Sequence, residues 1–146
     1  MKTTVGIDPD TEKHGVAIYV DGKLADLRKY NLVEIIENII TPDLLNAANE
    51  TVFSIENVCA NDFVYSRNMT KNSKVNTSIA RNIGACQQAQ TELMRMLDHF
   101  GIKYVLHKPQ SGNWAKDKNK FQRVTGWERA SNEDTRSAAY FGYLAA

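Results

Sequence analysis

No run of apolar residues in this 146-residue chain approaches the roughly 18 that a membrane-spanning helix needs. The chain is strand-like from residue 3. No charged, apolar and small-residue zones follow one another, so no secretory signal is visible and a cytoplasmic protein is expected. Cysteine is scarce. Cys59 and Cys86 lack metal-ligand spacing, and without a secretory signal they are expected as reduced core thiols rather than a disulfide. His14, His99 and His107 stand alone, so no Cys/His cluster of the kind that holds zinc is present. No internal repeat or low-complexity linker interrupts the chain. Hydrophobic residues make up 42% and charged residues 24%, which suits a single globular domain over residues 1–146 with a core of its own.

The net charge of +1 conceals a division. Residues 61–130 carry twelve Lys and Arg against five Asp and Glu, a net +7, so the rest of the chain carries −6. Cations for phosphates in the middle and carboxylates for a metal at the ends is the distribution a nuclease needs. An unevenly charged solvated surface explains the same numbers.

Along the chain, residues 3–7 are a β-branched run closed by Asp8-Pro9, where proline bars helical continuation. Residues 15–20 form a second strand, Asp21-Gly22 is a two-residue hairpin signal, and residues 23–30 form a third strand with Leu24 and, less cleanly, Leu27 facing inward. Apolar spacing predicts a helix over 32–40 that stops at Thr41-Pro42, with a short helical piece over 43–48. Residues 51–58 read as a strand covered on both faces, apolar almost to Glu56. Residues 59–74 lack periodicity and read as a mobile loop. A long helix over 74–100 carries the stripe Ile79, Ile83, Cys86, Ala89, Leu93, Met94, Leu97 and Phe100. A fifth strand (102–106), a short helix (116–124) and a last helix (131–145) follow. The order is β-β-β-α-β-α-β-α, which several mixed α/β folds share.

Three acidic spots stand out. Asp8 and Glu56 each follow a buried apolar strand by one residue, and acids at neighbouring strand ends approach one another where ligands of such sheets bind. A turn cap explains Asp8 taken alone, and an exposed strand end explains Glu56. Glu133 and Asp134 open the last helix. There Ser131 and Asp134 have the spacing of a capping box, and acids also suit the helix dipole. Phosphodiester hydrolysis places negative charge on the attacking and leaving oxygens, and two Mg²⁺ or Mn²⁺ ions about 3.5–4 Å apart stabilise both. Convergent carboxylates without Cys or His partners point to such hard cations rather than to zinc. His14 and His107 read as structural or DNA-facing, and His99 belongs to the polar face of the long helix.

Val5-Gly6-Ile7-Asp8-Pro9 followed by Gly15-Val16-Ala17 resembles the opening of the RuvC-type Holliday junction resolvases. Ser54-Ile55-Glu56 resembles their second motif, Asp134-Thr135-Arg136-Ser137-Ala138-Ala139 their last helix, and His107-Lys108-Pro109 with Trp114 the region before it. The likeness covers nearly the whole chain and is greatest to compact phage-type members. It rests on the order and spacing of motifs rather than on any one of them. It implies a ribonuclease-H-like α/β fold: a five-stranded mixed sheet, made of a three-stranded antiparallel meander plus two parallel strands, with helices on both faces. It also implies a homodimer that binds four-way and related branched DNA junctions and makes paired symmetric nicks with Mg²⁺ or Mn²⁺, in a host cytoplasm if phage-encoded. Asp8, Glu56 and Asp134 are the implied catalytic residues, and with Glu133 the implied metal ligands.

Two departures from that pattern matter. The family's final acid falls on Ser137, so Glu133 or Asp10 would have to supply the missing oxygen. The aromatic wedge that follows the family's Glu falls on Cys59, leaving Phe63 and Tyr65 as candidates to stack on exposed bases or simply to anchor the loop. Lys71, Lys74 and Arg81, with Lys108, Lys116, Lys118 and Lys120, are candidate phosphate contacts, and a solvated basic surface is the plain alternative. Three other functions stay open: a junction-binding protein that does not cut, a ribonuclease-H-like nuclease for flaps or RNA–DNA hybrids, and a phosphate-binding fold of the actin and sugar-kinase type. The last usually needs a longer chain and a second, Gly-rich phosphate loop, and neither is present.

Overall fold

The computed structural model describes residues 1–60 and 73–146. Asp21 (φ 48°) and Gly22 (φ 83°) both take left-handed backbone, the pair of conformations that closes a tight hairpin. This turn joins β2 (His14–Val20) to β3 (Lys23–Tyr30), and β2 runs antiparallel to β1 (Lys2–Asp8). β4 (Glu50–Glu56) lies parallel to β1 on its other side, and β5 (Lys103–His107) lies parallel to β4. The sheet order is β3-β2-β1-β4-β5, the mixed five-stranded arrangement that the resemblance implies.

Alternation along the strands sends their side chains to two different layers. Val5, Ile7, Val16, Phe53 and Ile55 point to one face and pack with Ile35, Ile39, Ile40, Leu93, Met96 and Leu97. Those partners come from the segment after β3 and from α3 (Ser73–Phe100). Ala17 and Tyr19 point to the other face and pack with Ala138 and Ala139 of α5 (Glu133–Tyr143), beside Trp114, Trp127 and Phe121 of α4 (Lys118–Thr125). Helices therefore cover both faces, with the long helix on one side and the last helix on the other.

Three local expectations change. The helix after β3 does not stop at Thr41-Pro42. It runs as α1 (Leu32–Ile35), a π turn (Ile36–Ile40) and α2 (Thr41–Leu44). The Thr41 N–H reaches back five residues to the Ile36 carbonyl, and this wider π turn carries the chain on into α2, with Pro42 in its first turn. In α3 the buried positions among the described residues are Ile83, Cys86, Gln90, Leu93, Met96 and Leu97. Met96 rather than Met94 faces the core, and a fully buried glutamine, Gln90, interrupts the apolar stripe. Of the two free cysteines Cys86 is buried as expected, but Cys59 is exposed. Among the described residues no helix is long and apolar enough to cross a membrane.

α5 lies almost directly on the sheet backbone. A β-carbon at Gly6 would collide with the Ala138 carbonyl oxygen, and one at Gly142 would come within 2.8 Å of the Tyr19 ring. Two sheet hydroxyls then bond carbonyls of α5. Tyr19 Oη donates to Ala139 O and Ser54 Oγ to Phe141 O, both at 2.6 Å. Small residues at the crossing let the helix approach, and these bonds fix where along the sheet it sits.

Candidate active site

Asp8 ends β1 and Glu56 ends β4, and the parallel register Ile7↔Ile55 brings the two strand ends side by side. Gly6 and Ser54, two residues earlier, meet α5, so alternation sends Asp8 and Glu56 to the α5 side as well. The start of α5 reaches the same spot because Gly15 has no side chain. A β-carbon there would collide with the Asp134 carbonyl oxygen and come within 3.3 Å of Asp134 Cβ. Asp8, Asp10, Glu56, Glu133 and Asp134 thereby line one cleft of about 360 Å³, with Asn82, Cys86, Asn113, Ala115 and Ser137.

The electrostatics of the cleft are those of crowded carboxylates. Burial pushes Asp8 from 3.8 up to about 8, and repulsion from Glu56, Asp134 and Asp10 adds to it, while a hydrogen bond from the Ser137 side chain pulls the other way. Glu56 is buried as well, at 9% exposure, so the exposed strand-end explanation does not hold for it. Ser137 stands where the resemblance places a final acid. It supplies a hydrogen bond to Asp8 instead of a further carboxylate. Asp134 is turned toward the sheet edge, where its Oδ2 accepts from Lys29 Nζ at 2.5 Å. Lys29 Nζ also lies 3.9 Å from Asp10 Oδ2. Among the described residues no three acids, histidines or cysteines converge on one point as the side chains stand. The acids share a cleft without closing on a centre.

The walls of the cleft are tied to the scaffold. The first turn of α5 is capped by Asn132 and Thr135, whose side chains each bond the other's backbone N–H. The expected box of Ser131 and Asp134 does not form, and Asp134 keeps its carboxylate for Lys29. Ser131 Oγ instead accepts from Arg136, whose guanidinium also makes two bonds to the Ala115 carbonyl oxygen and so holds the 113–115 wall against α5. His14 is buried. Its Nδ1 accepts the Asp10 N–H at 3.2 Å, which fixes the turn carrying Asp10, and burial lowers its pKa to about 4. His107 Nε2 meets Ser54 Oγ at 2.8 Å. Since that hydroxyl spends its proton on Phe141 O, Nε2 carries the hydrogen. Both histidines are structural here, and His99 is exposed on α3.

Behind Glu56 the chain is clamped by α3. Gln90 Oε1 accepts from the backbone N–H groups of Val58 and Cys59, and its Nε2 donates to Asn57 Oδ1. Gln87 adds a bond to Val58 O. Lys74 and Arg81 lie together with Thr77 and Ser78 along a second groove of about 320 Å³ on the first turns of α3. Lys108, Lys116, Lys118 and Lys120 are all exposed. Lys71, Phe63 and Tyr65 lie outside the described residues.

Sequence reasoning did not anticipate Lys29, the hydrogen bond from Ser137 to Asp8 or the Gln90 clamp. The polar residue at a core position of the α3 stripe was the readable sign of the last. Lys29 is concealed by a bulge. Ile18 pairs with Asp26 and Tyr19 with Leu24, so Ala25 is an extra residue in β3. Arg129 Nη2 bonds its carbonyl oxygen. The bulge turns Leu24 and Leu27 to the same face despite their spacing of three, and it sets Lys29 opposite Gly15.

No protein-family model and no curated protein sequence matches the chain. Solved structures do. The chain is similar to Thermus thermophilus RuvC in complex with a Holliday junction substrate, with a TM-score of 0.52 at 12% identity over 98% of this chain and 91% of that one. It is also similar to a second Thermus thermophilus RuvC structure, with a TM-score of 0.48 at 13% identity over 97% and 91%. At such identity the first of these likenesses speaks for the fold alone, which is RuvC-like and of the ribonuclease-H type.

Proposed function

We propose that the protein is a metal-dependent endonuclease that resolves four-way and related branched DNA junctions by paired, symmetric nicks. The observation that carries the reading is the meeting of Asp8, Glu56 and Asp134 in one cleft at the carboxyl ends of β1 and β4, on a RuvC-like fold. The structure most relevant to the substrate is of RuvC bound to a Holliday junction, which supports branched DNA as the ligand here. The donor set suits a hard divalent cation. It is carboxylate, amide and hydroxyl oxygen apart from Cys86, and a cation would relieve the repulsion felt by Asp8. Asp8, Glu56 and Asp134 would hold Mg²⁺ or Mn²⁺, with Glu133 or Asp10 completing the set. Such ions activate water and stabilise the charge that develops on the phosphodiester oxygens.

Within this reading the other residues position the site. The Ser137 hydroxyl orients Asp8, Arg136 fixes the 113–115 wall, and the Gln90 clamp fixes the chain just beyond Glu56. Phosphate contacts are assigned to Lys74 and Arg81 in their shared groove and to exposed Lys108, Lys116, Lys118 and Lys120. Lys71 is a further candidate, and Phe63 and Tyr65 are the candidates for stacking at the junction. A homodimer is proposed because a closed two-fold assembly presents two identical sites to a two-fold junction.

The test is cleavage of a labelled synthetic four-way junction with Mg²⁺ or Mn²⁺, mapping the nicks, beside flap and RNA–DNA hybrid substrates. Paired nicks on the junction are expected. Asp8→Asn is expected to lower cleavage by at least about 10³-fold while junction binding persists. Gel-shifted junctions that neither metal allows the wild type to nick would make it a binding protein. That outcome is motivated by Ser137, which brings a hydroxyl where the related enzymes bring an acid.

A further inference from the structure

We propose that Lys29 is the resident counter-ion of the acidic cleft, a positioning residue that competes with a divalent cation for Asp134 and so sets how tightly the cleft takes metal. This rests on reading the cleft as a metal-dependent active site. Lys29 comes from the edge strand β3, outside the three elements that carry Asp8, Glu56 and Asp134. It reaches the cleft because its partner across the ladder is Gly15, which leaves its path open. Its ammonium sits 2.5 Å from Asp134 Oδ2 and 3.9 Å from Asp10 Oδ2, so it bridges an acid of the α5 start and an acid of the turn after β1. The neighbouring cation, Arg28, is spent on Asp26, two residues away on its own strand.

The geometry gives Lys29 two opposing effects. With no divalent ion, one unit of positive charge between two carboxylates offsets part of the repulsion in the cleft. A divalent ion that takes Asp134 must displace that ammonium and then bind beside it. The Lys29 side chain is 29% exposed, so solvent screens the repulsion. Discounted in this way, a unit charge at such range changes the affinity for a doubly charged ion by about ten-fold. Lys29 therefore holds the empty cleft together and weakens metal binding, and a displaced ammonium beside Asp134 is free to meet another anion.

The test is Mn²⁺ binding to the full chain without DNA, followed by electron paramagnetic resonance near neutral pH. Wild type is compared with Lys29→Met, Lys29→Arg and Asp8→Asn, with Lys29→Gln as a second neutral variant should Lys29→Met not fold. The neutral variant is expected to bind Mn²⁺ about ten-fold tighter, and Lys29→Arg, which keeps the charge, to stay within about two-fold of wild type. Equal or weaker binding by the neutral variant, with wild-type binding lost in Asp8→Asn, overturns the role of Lys29 and leaves the metal-site reading standing. Equal tightening by Lys29→Arg also overturns it, because charge is then not the cause. Absence of Mn²⁺ binding in both wild type and the neutral variant overturns both.

Discussion

The two faces of the sheet use the same strands for opposite ends. Toward α3, Val5, Ile7, Val16, Phe53 and Ile55 are all completely buried and all apolar, and large side chains fill the space between layers. Toward α5, the same strands offer Gly6, Gly15, Ala17, Tyr19 and Ser54, and the helix rests on backbone and hydroxyls. The first face stabilises by burying area. The second buries less per residue but fixes a helix to within a hydrogen bond, and its strands end in Asp8 and Glu56. A side-chain layer tolerates repacking, whereas a helix laid on backbone has little freedom to shift, which suits the face that must bring Asp134 to Asp8.

That contrast can be broken from either side. The largest stability effect is expected from Phe53→Ala, which leaves a void in the fully buried layer and costs about 3–5 kcal/mol in a denaturation experiment. Whatever fraction stays folded should still bind Mn²⁺ as wild type does. Gly15→Ala is expected to cost less, about 1–3 kcal/mol, because one methyl group must be accommodated against the Asp134 backbone. It should nevertheless weaken Mn²⁺ binding more than Phe53→Ala does, since it moves Asp134 relative to Asp8. If the two variants affected metal binding only in proportion to stability, the division of labour between the faces would be wrong.

The smallest effect is a pH dependence that sharpens the same comparison. Folding raises Asp8 from 3.8 to about 8, so the folded state keeps a proton that the unfolded state loses, and stability falls as pH climbs between those values. His14 acts with the opposite sign. Its pKa falls from 6.5 to about 4 on folding, so stability is lost as pH drops through that interval. The two oppose one another below pH 6.5, and above it Asp8 alone acts. Metal-free protein should therefore lose stability from pH 6.5 to about 8, by at most about 1.4 kcal/mol per pH unit. Asp8→Asn should flatten that slope in urea denaturation, and divalent metal should diminish it.

Much of this was legible in the sequence because it depends on local period and strand ends. The five strands follow from alternation and continuous apolar runs, and Asp8 and Glu56 stand out because each is the first charge after a buried strand. Asp134 was legible as the start of a helix, although its cap proved to be Asn132 and Thr135 one position later than Ser131 and Asp134. What was hidden depends on long-range registration. The partnership of Ser137 with Asp8 joins residues from opposite ends of the chain, and no local pattern announces it. Gln90 looks like a defect in an apolar stripe until the 57–59 backbone is seen to need its amide. Lys29 was hidden most thoroughly, since unbroken alternation from the Asp21-Gly22 turn puts Arg28, not Lys29, opposite Gly15.

The extra residue at Ala25 thus works as a selector. Counting back from the hairpin, a single peptide unit decides which of two adjacent cations faces the acids and which is left on Asp26. Drawing Ala25 into the ladder opposite Ile18 would slip every later pair by one, send Lys29 to the far layer and present the Arg28 guanidinium to Asp134. Arginine in that seat cannot lose its proton and grips a carboxylate with two prongs rather than one. The character of the cleft is thereby written partly in the register of an edge strand, where a one-residue slip leaves every acid of the cleft in place and still alters what they face.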